Sequence, residues 1–353
     1  MRHLLLPLAV LALSACTAGS QPRPNVAASV PAALSERAER WWTDVAALSD
    51  DAMEGRGTGT AGHERAMAYV EARLRALGLQ PGGTDGYRQP ISVQPRAAAG
   101  APPQPPVPTA NLVAVLRGAD PALRDEYVVM TAHLDHLGIG EPVNGDRIYN
   151  GTLDNAAGSA ALLDIAQQLQ RTRPRRSILL IWLSGEELGL RGARAFVETP
   201  TVPREAIVAN LNYDMALPLF PLRSVTVIGA DQSSLGADAA AVGRQLGLPL
   251  APDPFPARRS FVRSDHFAFI ERGIPAVAFK FGFAAGTPEA RLEGAFRDRI
   301  YHSPQDDPNQ AGIFREDEIR LHDFIAALAL RVANADVRPT WNADSIYRNA
   351  ANR

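Results

Sequence analysis

The sequence predicts an α/β fold: a three-layer α/β/α sandwich around a mixed, largely parallel central sheet. Three observations carry this. Short apolar runs alternate with amphipathic segments of helical period across 111–332. Several runs are apolar at every position, the pattern of strands buried on both faces. Histidines and acidic residues fall directly after those runs, where open α/β sheets gather their ligands.

The elements follow in order. Ser35 opens an amphipathic stretch through Leu48 that reads as a capped helix. The next helix, 63–77, has Ala66, Met67, Tyr69, Val70, Leu74 and Leu77 at helical spacing, and Gly78 stops it. Residues 96–108, RAAAGAPPQPPVP, read as a Pro-rich surface connection without strand or helix. Strands are expected over 111–116, 127–132, 178–183, 207–213, 225–228 and 276–281. Helices are expected over 159–170, 233–246 and 316–332, and no internal repeat is visible.

The N-terminus sets the compartment. Arg2 and His3 precede an apolar run, 4–13, too short for a permanent membrane span but suited to a secretory signal. Leu13-Ser14-Ala15-Cys16 resembles the bacterial lipoprotein signal motif, which implies an exported chain anchored through a lipid on Cys16 and facing the periplasm or outside. The expected organisation is a signal peptide over 1–15, a tether rich in Ala, Pro, Ser and Thr over 16–33, one folded domain over 34–338 and a tail over 339–353 without assigned role. Cys16 is the only cysteine, so any metal must be held by His, Asp and Glu. With 36 basic and 38 acidic residues, the formal net charge of -2 gives no sign of a nucleic-acid partner.

Five short segments carry the chemistry. The first is His133-Leu134-Asp135-His136, after the run YVVMTA. A metal-bound histidine commonly donates its other ring N–H to a carboxylate, so Asp135 is placed to orient His133. Alone, this run suits a structural or solvated histidine pair better. The second is Asp154-Asn155 before a helix, which taken singly reads better as a helix cap. The third is Glu186-Glu187 after SILLIWL. Two adjacent carboxylates there are costly unless a cation compensates one, and the other could then serve as a general base. A solvated turn fits as well. Asp214 and the Tyr301-His302 pair complete the set.

Together and in this order, the five segments closely resemble the co-catalytic zinc aminopeptidases, bacterial leucine-type enzymes related to glutamate carboxypeptidase and glutaminyl cyclase. The resemblance runs from about Asp51 to Asp307 and includes EGRGTGTAGHERAMAYVEARLRALGLQPGG and RSDHFAFIERGIPAVAF. It implies a phosphorylase/hydrolase-like zinc exopeptidase fold and two zinc ions per chain. Asp154 would bridge them, His133 and Asp214 completing one site and Glu187 and His302 the other. Glu186 would be the general base for a water activated between the ions, Asp135 the support of His133, and Tyr301 a donor to the developing oxyanion. Arg263, Ser264 and Asp265 would line the substrate pocket. The substrates would be peptides with a free N-terminus. The Asp154–Asn155 peptide is expected to be cis, and the stretch IGEPVNGDRIYNGT between His133 and Asp154 to form a rim loop.

Of the other histidines, His63 is expected on the surface, His136 and His266 beside the site, and His322 within the last helix. Alternatives remain open. A carboxypeptidase or dipeptidase would need a basic pocket, which Arg258, Arg259 and Arg263 could supply. A one-zinc glutaminyl cyclase, or a non-catalytic binding ectodomain on the same scaffold, would each leave part of the ligand set without use.

Overall fold

Strands that are apolar throughout need helices above and below them, and the chain supplies both. The computed structural model describes residues 26–95 and 104–350. Helices α1 (Val26–Leu48) and α2 (Ala61–Leu77) precede strands β1 (Gln80–Pro81), β2 (Arg88–Val93), β3 (Val107–Leu116) and β4 (Tyr127–His133). A hairpin of β5 (Gly138–Val143) and β6 (Asp146–Tyr149) leads to α3 (Ala157–Leu169), β7 (Ser177–Leu183), α4 (Arg191–Glu198) and β8 (Ile207–Asn212). Then come β9 (Val225–Ile228), α5 (Leu235–Leu246), β10 (Leu250–Ala251), α6 (His266–Ile270), β11 (Ala276–Phe281), α7 (Pro288–Arg299) and α8 (Arg315–Asn334).

The main sheet runs β1-β3-β7-β4-β8-β11-β9-β10, with β2 also paired to β3. Its centre, β7-β4-β8-β11, is parallel. β3 and β9 flank that centre as antiparallel neighbours, so the sheet is mixed as expected. Side chains alternate between faces. Val128, Met130 and Ala132 of β4 enter the core beneath α1, α3, α5 and α8. Tyr127 and Val129 enter the second core, beneath α4 and α6. Every residue of β4 and β7 is buried, which explains why these strands read as unbroken apolar runs.

Local signals explain the helix ends. Thr60 caps α2 by accepting from the His63 N–H, and Gly78 ends it in the left-handed region with its N–H on Leu74 and Arg75 carbonyls.

Several expectations need correction. α1 starts at Val26, so Ser35 lies inside the helix and donates to Glu316 instead of capping. The helix takes up 26–33 of the expected tether, while the expected signal peptide and Cys16 lie outside the described residues. β3 begins at Val107, inside the expected Pro-rich connection, because it pairs there with Val93 of β2. The expected rim loop is the β5–β6 hairpin. Its turn, Asn144-Gly145, has φ of 54 and 89, the left-handed geometry that an Asn-Gly pair favours. The C-terminal segment also packs onto the fold. Trp341 Nε1 donates to the Gly273 carbonyl at 2.8 Å, and Tyr347 meets the edge of Phe261 with centroids 5.3 Å apart. Two aromatic rings give that tail apolar surface worth burying.

Candidate active site

Parallel strands bring their carboxyl ends to one side of the sheet. His133 of β4 stands in register with Leu183, the last residue of β7, and Thr131 with Asn212, the last of β8. The segments after these strands therefore meet: His133–His136, Ser184–Glu187 and Asp214. The turn before α3 carries Asp154 into the same space, and the Asp154–Asn155 peptide is cis.

Asp154 sits at the middle, buried, with its two oxygens facing different partners. Oδ1 lies 3.3 Å from His133 Nε2, which is also 3.6 Å from Asp214 Oδ1. Oδ2 lies 3.2 Å from His302 Nε2, which is also 3.2 Å from Glu187 Oε2. One carboxylate thus divides two donor clusters. All five expected ligands, His133, Asp154, Glu187, Asp214 and His302, come together.

The donor chemistry fits metal ions. His133 Nδ1 is 3.1 Å from the Asp135 backbone carbonyl, which can only accept. Nδ1 therefore carries the ring proton, and the Nε2 lone pair faces the carboxylates. Burial pushes the His133 pKa down, but Asp154 and Asp214 overcome that and raise it well above its ordinary value. The position calls for a positive charge, which a divalent cation supplies. Asp214 Oδ1 and His302 Nε2 are buried without a hydrogen-bond partner among the described residues. Such atoms are costly unless something coordinates them. The sets His133–Asp154–Asp214 and His136–Asp154–Glu187 each converge within 4.8 Å, room for one ion apiece.

Glu186 is half-buried beside these donors. Burial, then the charges of Asp265, Asp214 and Glu187, raise its pKa well above the carboxylate range against the pull of His133. Its backbone N–H donates to Asp135 Oδ1 at 3.1 Å. Asp135 therefore differs from expectation. Its carboxylate lies 3.9 Å from His133 Nδ1, and it accepts from Glu186 and from Thr58 Oγ1 at 2.8 Å. The cause is that β4 ends at His133, so the chain turns before Asp135 and presents its carbonyl, not its carboxylate, to the ring.

A cavity of about 670 Å³ adjoins Glu186, Glu187, Asp214 and Tyr301. The Tyr301 ring stacks on His302 with centroids 3.8 Å apart, and burial beside the acidic groups raises its pKa, so its hydroxyl stays protonated. Arg263 and Ser264 line the cavity, and Ser264 Oγ accepts from Asn212 Nδ2 at 2.9 Å. Asp265 does not line it. It is fully buried behind the wall, where α6 begins, and burial followed by neighbouring acids lifts its pKa to about 8.

Four further residues build the site. Arg56, fully buried, donates to the carbonyls of Leu48, Leu134, Asn150 and Gly151 at 2.6–2.8 Å, tying both ligand loops together. Burial lowers its pKa to about 10, so it stays charged at neutral pH. Asp306 accepts from the backbone N–H of Leu153 at 2.9 Å and of Asp154 at 3.0 Å. His136 Nδ1 lies 2.9 Å from Glu187 Oε1 and 3.9 Å from Asp154 Oδ2. His63, expected on the surface, is buried where α2 meets the sheet, 3.2 Å from both Ser184 Oγ and Thr109 Oγ1. Arg56 and Asp306 lie within stretches that already stood out, but their roles depend on backbone groups that no spacing reveals.

Comparison with known proteins agrees with this arrangement. The model of peptidase family M28 matches residues 111–327. Leupeptin-inactivating enzyme 1 of Streptomyces exfoliatus is 26% identical over 309 residues, covering 85% of this chain and 61% of that protein. Leucine aminopeptidase 2 of Trichophyton equinum is 28% identical over 215 residues, 56% of this chain and 40% of that one. The chain thus spans about three fifths and two fifths of these curated relatives. A zinc aminopeptidase structure from Bacillus subtilis shares the fold, with a TM-score of 0.61 at 16% identity over 82% of this chain and 94% of that one.

Proposed function

The chain belongs to peptidase family M28, and from that premise we propose that it is an aminopeptidase holding two zinc ions. The observation that carries this reading is the division of Asp154, with His133 and Asp214 on one oxygen and His302 and Glu187 on the other. When bound, two zinc ions polarise the scissile carbonyl and lower the pKa of the attacking water.

The chain's own residues do the rest. Glu186, with its raised pKa, takes the proton of the attacking water and delivers it to the leaving amine. Asp135 fixes Glu186 through its backbone N–H. Tyr301, protonated, donates to the oxygen that gains charge at the scissile carbonyl. Arg56 and Asp306 hold the ligand loops rigid from behind.

An aminopeptidase is favoured over a carboxypeptidase by the state of the arginines. Arg258 is bound to both oxygens of Glu293, at 2.6 and 2.8 Å, and lies over the Phe255 ring at 4.0 Å. Arg259 is not among the cavity's lining residues, and the other basic residues there are engaged, Arg194 with Glu271, Arg297 with Glu293 and Lys280 with the Asp214 and Met215 carbonyls, which leaves Arg263. The acidic groups at the metal end suit a substrate ammonium group instead. The test compares aminoacyl p-nitroanilides with their N-acetylated forms, using enzyme stripped of metal and then reloaded. Zinc-dependent turnover of the free amines alone is expected; preference for the acetylated forms would overturn the reading.

We also propose that the chain is exported and anchored through a lipid on Cys16. Mass spectrometry of the mature N-terminus should find a diacylglyceryl cysteine, and Cys16→Ser should release the chain from the membrane fraction.

A further inference from the structure

On the other side of Glu187 from the 670 Å³ cavity lies a second cleft, of about 450 Å³. His136 and Glu187 line it, so it opens onto the candidate metal ligands. Its other walls include the turn carrying Thr58 and Thr60, Pro95, Leu188, and Leu137 and Ile139 at the start of the β5–β6 hairpin.

The hairpin is seated firmly. Gly57 bridges to His136, and a Cβ on Gly55 would stand 2.4 Å from the Tyr149 carbonyl oxygen and 2.6 Å from that of Gly138. On this fixed base Ile139 is 55% exposed and points its apolar surface at the cleft. The polar groups nearby are already engaged: Thr58 Oγ1 donates to Asp135, Thr60 Oγ1 to the Gly57 carbonyl, and Glu54 is paired with Arg65 at 2.9 Å. The cleft therefore offers a ligand carbon more than polar partners.

The two spaces differ in depth. The larger cavity shares Ile228, Arg258 and Lys280 with an inner pocket that buried Leu217, Phe220 and Phe281 also wall. Apart from buried Gly57, His136 and Gly138, the cleft is walled by half-buried and exposed residues, which suits a chain that continues outward. Glu187, which lines both, with His136 on the cleft and Asp214 on the cavity, puts the scissile bond between them.

We propose that the cleft between the β5–β6 hairpin and the Thr58–Thr60 turn binds the residue following the scissile bond, and that Ile139 makes it prefer an apolar side chain there. This rests on the aminopeptidase reading. The test uses zinc-loaded full chain with leucyl-leucinamide and leucyl-glycinamide, which differ only after the scissile bond. The wild type should favour the leucinamide roughly tenfold in kcat/KM, the scale of burying one aliphatic side chain. Ile139→Ser should bring that ratio close to one, chiefly through loss of leucyl-leucinamide turnover. Ile139→Val should keep the preference. Turnover of both substrates without discrimination, or a ratio unchanged by Ile139→Ser, overturns the subsite and leaves the aminopeptidase reading intact. No turnover of either overturns both.

Discussion

The protein buries two histidine–carboxylate clusters, and they are built on opposite principles. Beneath the sheet, His322 of α8 donates from Nδ1 to Asp164 of α3 at 2.9 Å and lies 3.4 Å from Glu318 at Nε2. Arg37 of α1 joins Asp164 at 2.8 Å, and the rings of Trp41 and Tyr213 pack edge-on to the imidazole. Cations and anions are both protein groups there. At the strand ends, Asp154, Glu187, Asp214 and Glu186 crowd together, with His133 3.3 Å and His302 3.2 Å from Asp154, and Lys280 and Arg56 are too few to balance them. That cluster needs charge from outside. Histidines and acids packed together do not by themselves make a metal site; a surplus of carboxylates over the protein's own cations does.

The contrast can be broken or sharpened by substitution. The largest effect belongs to Asp154→Asn, which removes charge from both donor clusters at once. We expect kcat/KM to fall at least about a thousandfold in an aminoacyl p-nitroanilide assay. Glu186→Gln should lower kcat by about 10²–10⁴-fold while metal content, read by atomic emission, stays at the wild-type level. Equal loss of metal would make Glu186 a ligand instead of a base.

At the inner cluster the expected outcome is reversed. His322→Leu leaves Glu318 buried without its histidine and Asp164 with Arg37 as its remaining cation, and should cost on the order of 3 kcal/mol of stability in urea denaturation. Zinc content and KM should stay unchanged. The pH dependence has a definite sign. Burial lowers the His322 pKa, but Asp164 and Glu318 raise it overall to about 9 in the folded chain. The folded form holds this proton more tightly than the unfolded form. The stabilisation is full below about pH 6.5, the ordinary histidine value, and is lost as pH rises through about 9. His322→Leu should remove that decline from the thermal-melt profile. The smallest effect belongs to the exposed Arg40–Glu36 pair on α1, where Arg40→Ala should cost less than about 1 kcal/mol.

The two clusters were not equally visible in the sequence. The metal end was, because Asp135, Glu186, Glu187 and Asp214 follow apolar strands, and parallel strands must end on one side, while Asp154 stands at the start of a helix. The strand positions 127–132, 178–183, 225–228 and 276–281 agree with the structure to within a residue for the same reason. His322 showed only as a residue of an amphipathic helix, since Asp164 and Arg37 reach it from 158 residues or more away. His63 opens a helix with polar neighbours, and nothing local shows that this first turn is pressed against Ser184. Arg56 acts through carbonyls, which every residue has. The β5–β6 hairpin did carry a signal, Asn144-Gly145 between extended segments, that a loop reading passed over. The helical start at Val26 was masked by the Ala, Pro and Ser content of 17–33, which reads equally well as a tether.

Metal stoichiometry tests the central claim most directly. Wild-type chain dialysed against limiting zinc and measured by inductively coupled plasma spectrometry should carry two ions, and Asp154→Asn should fall below one. A wild type that saturates at one ion, or an Asp154→Asn chain that still holds two, would contradict a shared carboxylate between paired cations.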